Sequence, residues 1–109
     1  MGLTKSDIFS DEQNKLSSLF KVLGHPARVA ILQYIINQKA CICNHLVDEL
    51  GLAQATISQH LKELKNIGII QGTIEGKSVC YCIEEKKWKE VQGLFNQFFE
   101  QEVKVNQCC

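Results

Sequence analysis

The sequence predicts a mainly α-helical domain that carries one small β-hairpin. Three observations lead there. Apolar residues recur at helical spacing in the stretches around 11–24, 26–36, 54–66 and 85–99. Two short β-rich runs, Ile69 to Ile74 and Val79 to Ile83, are separated by Glu75-Gly76-Lys77-Ser78, which reads as a hairpin with glycine in its turn. Between these parts, LGLAQATISQHLKELKNIGII (Leu50 to Ile70) reads as a turn, a helix and the first strand of that hairpin.

At 109 residues the chain fits a single domain, 1–109, with an N-terminal arm over 1–10 and a cysteine-containing tail over 101–109. Twelve Lys plus Arg balance twelve Asp plus Glu, which argues against an indiscriminate polyanion binder, since non-specific DNA affinity comes from phosphate neutralisation. The charges are uneven, however, with Glu84, Glu85, Glu90, Glu100 and Glu102 gathered late in the chain. No apolar run approaches a membrane span, and MGLTKSDIFSDEQ lacks the charged-then-apolar pattern of a signal peptide. A cytoplasmic protein is expected, with no membrane partner and with its six cysteines mostly reduced.

Ser10 followed by Gln13 resembles a capping box, so a helix is predicted from near Asp11, with Leu16, Leu19, Phe20 and Leu23 as its apolar stripe and Gly24 as its end. Pro26 suits the first turn of the next helix, where its missing N–H costs nothing. Val29, Ala30, Ile31, Leu32, Ile35 and Ile36 make that helix apolar nearly all round, which predicts a central place in the core. Arg28 at its start has two readings, a DNA phosphate or a carboxylate partner. Asn37 to Ala40 breaks the pattern, and a short helix is predicted from about Asn44 to Leu50 with Leu46, Val47 and Leu50 inward.

Gly51 then fits a sharp turn into a helix from about Gln54 to Asn66, ended by Gly68. Ala53 stands where a Ser or Asp cap would be better. Ile57, Leu61 and Leu64 form the buried stripe, while Thr56, Ser58, Gln59, His60, Lys62 and Lys65 are assigned to the other face. That face is polar and poor in acids. It suits the second helix of a helix-turn-helix, which sets such side chains against base edges and phosphates in the major groove. A solvated amphipathic helix has the same periodicity, so the reading depends on context. The hairpin that follows reads as a wing whose Lys77 could meet a phosphate or the minor groove. From Glu85, Trp88, Val91, Leu94, Phe95, Phe98 and Phe99 give the last helix a broad aromatic stripe. It either completes the core or, the favoured reading, forms a homodimer face with the first helix, Ile8 and Phe9.

The order of elements is that of a winged helix-turn-helix. With it, KVLGHPARVAIL, the Cys-Ile-Cys segment, GLAQATISQHLKELKNIGII and EGKSVCYCI together resemble the ArsR/SmtB family of metal-sensing bacterial repressors, over roughly residues 12 to 100. The resemblance implies a homodimeric, non-enzymatic repressor that leaves double-stranded operator DNA when an inducer binds. It places Gln54, Thr56, Ser58, Gln59 and His60 where the family reads DNA. Arg28, Lys62 and Lys77 complete the DNA-binding set. No cofactor is expected for DNA binding, and there is no nucleophile–base–acid set or phosphate-cradling glycine loop.

Cys41 and Cys43 resemble the family's Cys-x-Cys sensor. Soft thiolates select thiophilic ions, three sulfurs suiting trivalent arsenic or antimony and four suiting zinc or cadmium. Arsenite or antimonite is the expected inducer, ahead of zinc or cadmium. Two sulfurs are too few, so Cys108 or Cys109 of the tail is expected to complete the set, with His45 as a nearby nitrogen donor. The sequence departs from the family in reading Cys-x-Cys-Asn-His-Leu, and the pair lies one residue further upstream of the reading helix than in familiar members. Cys80 and Cys82 alternate onto one side of a wing strand. They are taken as small packing residues ahead of metal or redox groups. The last helix, where the family's Asp/His/Glu site lies, has neither His nor Asp. A thiol-redox or persulfide-responsive repressor is the alternative of the same fold. A small metal-carrying or thiol-exchange protein without DNA binding is the alternative of another class.

Overall fold

A computed structural model describes residues 5–43, 46–76 and 78–104. The elements run α1 (Lys5–Ile8), α2 (Asp11–Leu23), α3 (Pro26–Gln38), α4 (Leu46–Leu50), α5 (Gln54–Asn66), β1 (Ile70–Glu75), β2 (Ser78–Ile83) and α6 (Glu85–Phe99). The mainly helical fold with one hairpin is as expected; the short α1 inside the arm is not. The capping box forms as read, with Ser10 Oγ accepting from the Gln13 N–H at 3.1 Å and Gln13 Oε1 accepting from the Ser10 N–H at 3.0 Å. Helix α2 ends at Gly24, whose N–H donates to the Phe20 carbonyl at 2.8 Å. The close approach explains the glycine, since a Cβ there would stand 2.8 Å from that same oxygen. His25 caps α3, its Nδ1 accepting from the Ala27 N–H at 3.1 Å, and Pro26 follows at the first turn.

Helix α3 lies against α2, α4, α5 and β2 and buries Ile31, Leu32 and Ile35. It is not buried all round. Val29 and Ile36 remain 42% exposed, on the rim of an apolar groove that α3 forms with Trp88, Gln92 and Asn96 of α6. Burial of one stripe is enough to seat the helix, so its apolar outer residues are left to the surface. The stripe of α6 is divided in the same way. Val91 is buried and Leu94 and Phe95 are half-buried, while Phe98 and Phe99 are 44% and 69% exposed. Phe20 of α2 stacks on Phe95 at 4.6 Å between centroids and meets Phe98 and Phe99 edge-on. Lys15 and Glu90 bridge the two helices at 2.9 Å, and that ammonium with Lys87 holds the Glu90 carboxyl below the usual carboxylate range.

After α5, Gly68 turns the chain with φ +82°, in the left-handed region that a side chain would strain. The hairpin is antiparallel, in register from Ile70 opposite Ile83 to Glu75 opposite Ser78, with Gly76 at φ +62° in its turn. Ile69 and Ile70, among the most buried residues, anchor its base in the core beneath α5. The wing is thereby fixed beside the helix that precedes it.

Candidate DNA interface and cysteine cluster

Helix α5 packs on α2, α3 and α4 through Ile57, Leu61 and Leu64, which are 1%, 5% and 0% exposed. Ala53 provides no capping bond at its start, as its short side chain dictates. Gln54, Thr56, Ser58, Gln59 and Lys62 are exposed. Gln54 Nε2 donates to Ser58 Oγ at 3.2 Å, and Gln59 Nε2 donates to Glu63 Oε1 at 3.2 Å. These i,i+4 bonds hold the two amides along the helix. A cleft lined by Gln54, Ser58, Ser78 and Val79 separates the start of α5 from the wing. Lys77 at the wing tip lies outside the described residues.

Two residues of the expected reading set are turned into the domain instead. His60 is 8% exposed, three residues after Ile57 and four before Leu64, and so belongs to the buried stripe rather than the polar face. Its ring lies 4.4 Å from that of His25. Arg28 Nε donates to His60 Nδ1 at 3.1 Å, and Arg28 Nη1 donates to the Val22 carbonyl at 3.0 Å. Among the described residues Arg28 forms no ion pair with a carboxylate; it ties α3 to the end of α2 and to α5. The spacing 57-60-61-64 was the signal that would have placed His60.

Burial, then the neighbouring charges of His25 and Arg28, holds the His60 imidazole below its ordinary value of 6.5. The neutral ring is the form that can accept from Arg28. Because the folded state resists protonation more than the unfolded chain does, the stabilisation is complete above about pH 6.5 and is lost as pH falls below it. Urea unfolding at pH 7.5 and 5.5 should show a lower midpoint at pH 5.5. His60→Gln, which keeps an acceptor and cannot titrate, should flatten that difference; an unchanged pH profile in the variant would refute the assignment.

Four of the cysteines meet across the edge of the wing. The Ile42 N–H donates to the Tyr81 carbonyl at 2.9 Å and the Tyr81 N–H donates to the Ile42 carbonyl at 2.7 Å. This single antiparallel bridge lays residues 41–43 along the outer edge of β2. On either side of a hydrogen-bonded pair the next residues face one another at about 4.5 Å between Cα atoms. Cys41 and Cys82 do so at 4.4 Å, and Cys43 and Cys80 at 4.0 Å, each pair joined as a disulfide. Strand alternation puts all four on one face, opposite Ile42 and Tyr81. Ile42, 4% exposed, pins the segment to the core. Cys41 is exposed, Cys43 and Cys82 are half-buried, and Cys80 is buried.

Cys80 and Cys82 are therefore partners of the sensor-like pair and not packing residues alone. That pair lies in an extended segment ahead of α4, which runs from Leu46 among the described residues. The expected partners Cys108 and Cys109, and the donor His45 with Asn44, lie outside the described residues. Among the described residues the sulfurs meet two by two, and no three Cys, His, Asp or Glu side chains converge as a metal-ligand group.

The family model described as "Bacterial regulatory protein, arsR family" matches residues 25–71. An HTH-type transcriptional regulator of Methanocaldococcus jannaschii is 35% identical over 88 residues, which are 80% of this chain and 98% of that protein. A homologue of the cadmium resistance transcriptional regulatory protein CadC from Staphylococcus aureus is 30% identical over 88 residues, covering 80% and 72% of the two chains. The transcriptional repressor SmtB of Mycobacterium tuberculosis is 38% identical over 67 residues, 62% of this chain and about half (49%) of that protein. Among solved structures, the transcriptional repressor BigR from Xylella fastidiosa superposes with a TM-score of 0.62 at 27% identity, covering 94% of this chain and 100% of that one.

Proposed function

Since this chain belongs to the ArsR family of bacterial regulatory proteins and shares its winged helix-turn-helix fold, we propose that it is a homodimeric repressor released from its operator by a thiophilic inducer. The observation that carries the reading is the exposed polar face of α5, braced from behind by a buried stripe and flanked by the wing. Gln54, Thr56, Ser58 and Gln59 read base edges, with amides suited to adenine and hydroxyls to several bases. Lys62, and Lys77 on the wing, neutralise phosphates. Arg28 and His60 act behind this face, holding α5 to α3. Helices α2 and α6 pair with their counterparts, helped by Phe98 and Phe99 of α6 and by Ile8 and Phe9 just ahead of α2, all exposed here, and so space two reading heads about one helical turn apart.

Cys41 and Cys43 supply the soft donors for the inducer, with trivalent arsenic or antimony as the first candidate and zinc-group ions next. The segment that carries them leads into α4, which packs on α5, and is bridged to the wing. A change of ligation there reaches both parts of the DNA-facing surface. To displace the operator, the inducer has to favour the low-affinity state by a coupling of about 1–3 kcal/mol. Retention of the reduced protein on its own upstream promoter fragment, with and without arsenite, tests this. Retention without arsenite and release at micromolar arsenite are expected. Retention that arsenite leaves unchanged would remove the metalloid, and no retention at all would remove the repressor.

The two cysteine pairs favour a second reading of the same repressor, in which oxidation of thiols to disulfides is the signal. Release by peroxide, reversed by dithiothreitol and requiring no metal, would select it.

A further inference from the structure

We infer that in the reduced protein Cys41, Cys43, Cys80 and Cys82 form one four-thiolate site for a single divalent zinc-group ion, Zn²⁺ or Cd²⁺, with the wing supplying half of the ligands. The ladder carries the argument. One backbone bridge between Ile42 and Tyr81 fixes the register, so that both Cys-x-Cys segments present their sulfurs on the same face. Across the ladder the Cα atoms are 4.4 and 4.0 Å apart, and along it each pair follows the other by two residues, about 6.6–6.8 Å. Rotation about χ1 moves each sulfur across this spacing without moving the backbone. Two thiols would leave an ion undercoordinated, whereas four thiolates are a donor set that zinc-group ions take in tetrahedral form.

The surroundings fit. Cys41 and Cys82 open onto a shallow cleft walled by Ile35, Ile36 and Trp88, which leaves an entry for the ion. Lys39 lines the same cleft and puts positive charge beside a site that would carry a net charge of about −2 once four thiolates hold a divalent ion. Lys39 itself takes the left-handed conformation, φ 54°, that ends α3 and turns the chain onto β2. Starting from the disulfide form, two phosphine molecules and two waters yield four thiols and two phosphine oxides. The ion then replaces four protons, with no change of oxidation state. This inference rests on the proposed repressor reading only for its consequence: the ion would tie the wing to the segment before α4.

The test is titration of the phosphine-reduced full chain with Cd²⁺ alone, followed by thiolate-to-cadmium absorption and by counting the thiols left reactive. One Cd²⁺ per chain, with four thiols protected, is expected. Cys82→Ser and Cys80→Ser should each weaken binding at least about 100-fold, the upper figure for disturbing even an outer-shell partner, and lower the absorption by one thiolate in four. The double variant Cys108→Ser/Cys109→Ser should titrate like the parent. Cys82 is half-buried, so its variant decides the matter if loss of the buried Cys80 impairs folding. Unchanged titration of Cys82→Ser, or loss of binding in the tail variant, would overturn the site. Operator retention by the metal-free protein is read separately; its failure would remove the repressor and leave the cadmium stoichiometry standing.

Discussion

Leu64→Ala is expected to lower the unfolding free energy by about 2–5 kcal/mol, the range for truncating a buried leucine whose surroundings collapse only in part. Leu64 is completely buried, and its carbonyl accepts from the Ile69 N–H at 3.3 Å where α5 hands over to the wing. The cavity would open at the junction of α5 with the hairpin, where the chain has few ways to move inward. Small domains hold about 5–15 kcal/mol in all, so the loss is a large fraction of the total. At about 4–8 °C per kcal/mol for a domain near 100 residues, the thermal midpoint should fall by about 10 °C or more. Urea unfolding at fixed protein concentration measures it, and the slope should stay that of the parent, as the surface exposed on unfolding is nearly the same. A change below about 1 kcal/mol would mean that α5 is not seated through this residue.

Gln59→Ala should weaken operator binding by about 1–3 kcal/mol, roughly 5- to 150-fold, while binding to unrelated duplex changes little. Gln59 is exposed, near the middle of the polar face, and among the described residues its side chain bonds to Glu63 on the same helix. Truncation would therefore remove the proposed base contact without disturbing the core. Lys62→Ala provides the contrast. A phosphate contact carries no sequence information, so that variant should lose affinity for operator and unrelated DNA alike, with a salt dependence shallower by about one unit in the log–log slope. Equal losses on both duplexes for Gln59→Ala would place it on the backbone instead of the bases. Both variants should unfold at the parental midpoint, since neither side chain is buried.

What could be read from the sequence was local. The Ser10–Gln13 reciprocal cap, Pro26 at a helix start and the run 54–66 ended by Gly68 depend on residues within a few positions of one another, where side-chain spacing determines geometry. His60 is legible too: its polar side chain suggests the polar face, but the spacing 57-60-61-64 puts it on the buried stripe. Arg28 is not, since an arginine at a helix start gives no local sign of which way it turns. The cysteine arrangement depends on a contact between residues about 40 positions apart, 41 with 82 and 43 with 80. Alternation told which side of β2 carries Cys80 and Cys82, but not which segment would lie alongside. That neighbour was set by the left-handed turn at Lys39 and by burial of Ile42.

The Ile42–Tyr81 bridge closes a loop of the chain that holds α4, α5 and β1, and the cysteine pairs span 41 and 37 residues around the same neck. When the pairs are oxidised, the denatured chain can no longer spread that segment freely. In chain-entropy terms a loop of this length disfavours unfolding by about 4 kcal/mol. The inner link confines residues that the outer one already confines, so it adds far less than the first. Oxidation would thus raise resistance to unfolding mainly by restricting the disordered chain, and the first disulfide to form would account for most of the gain.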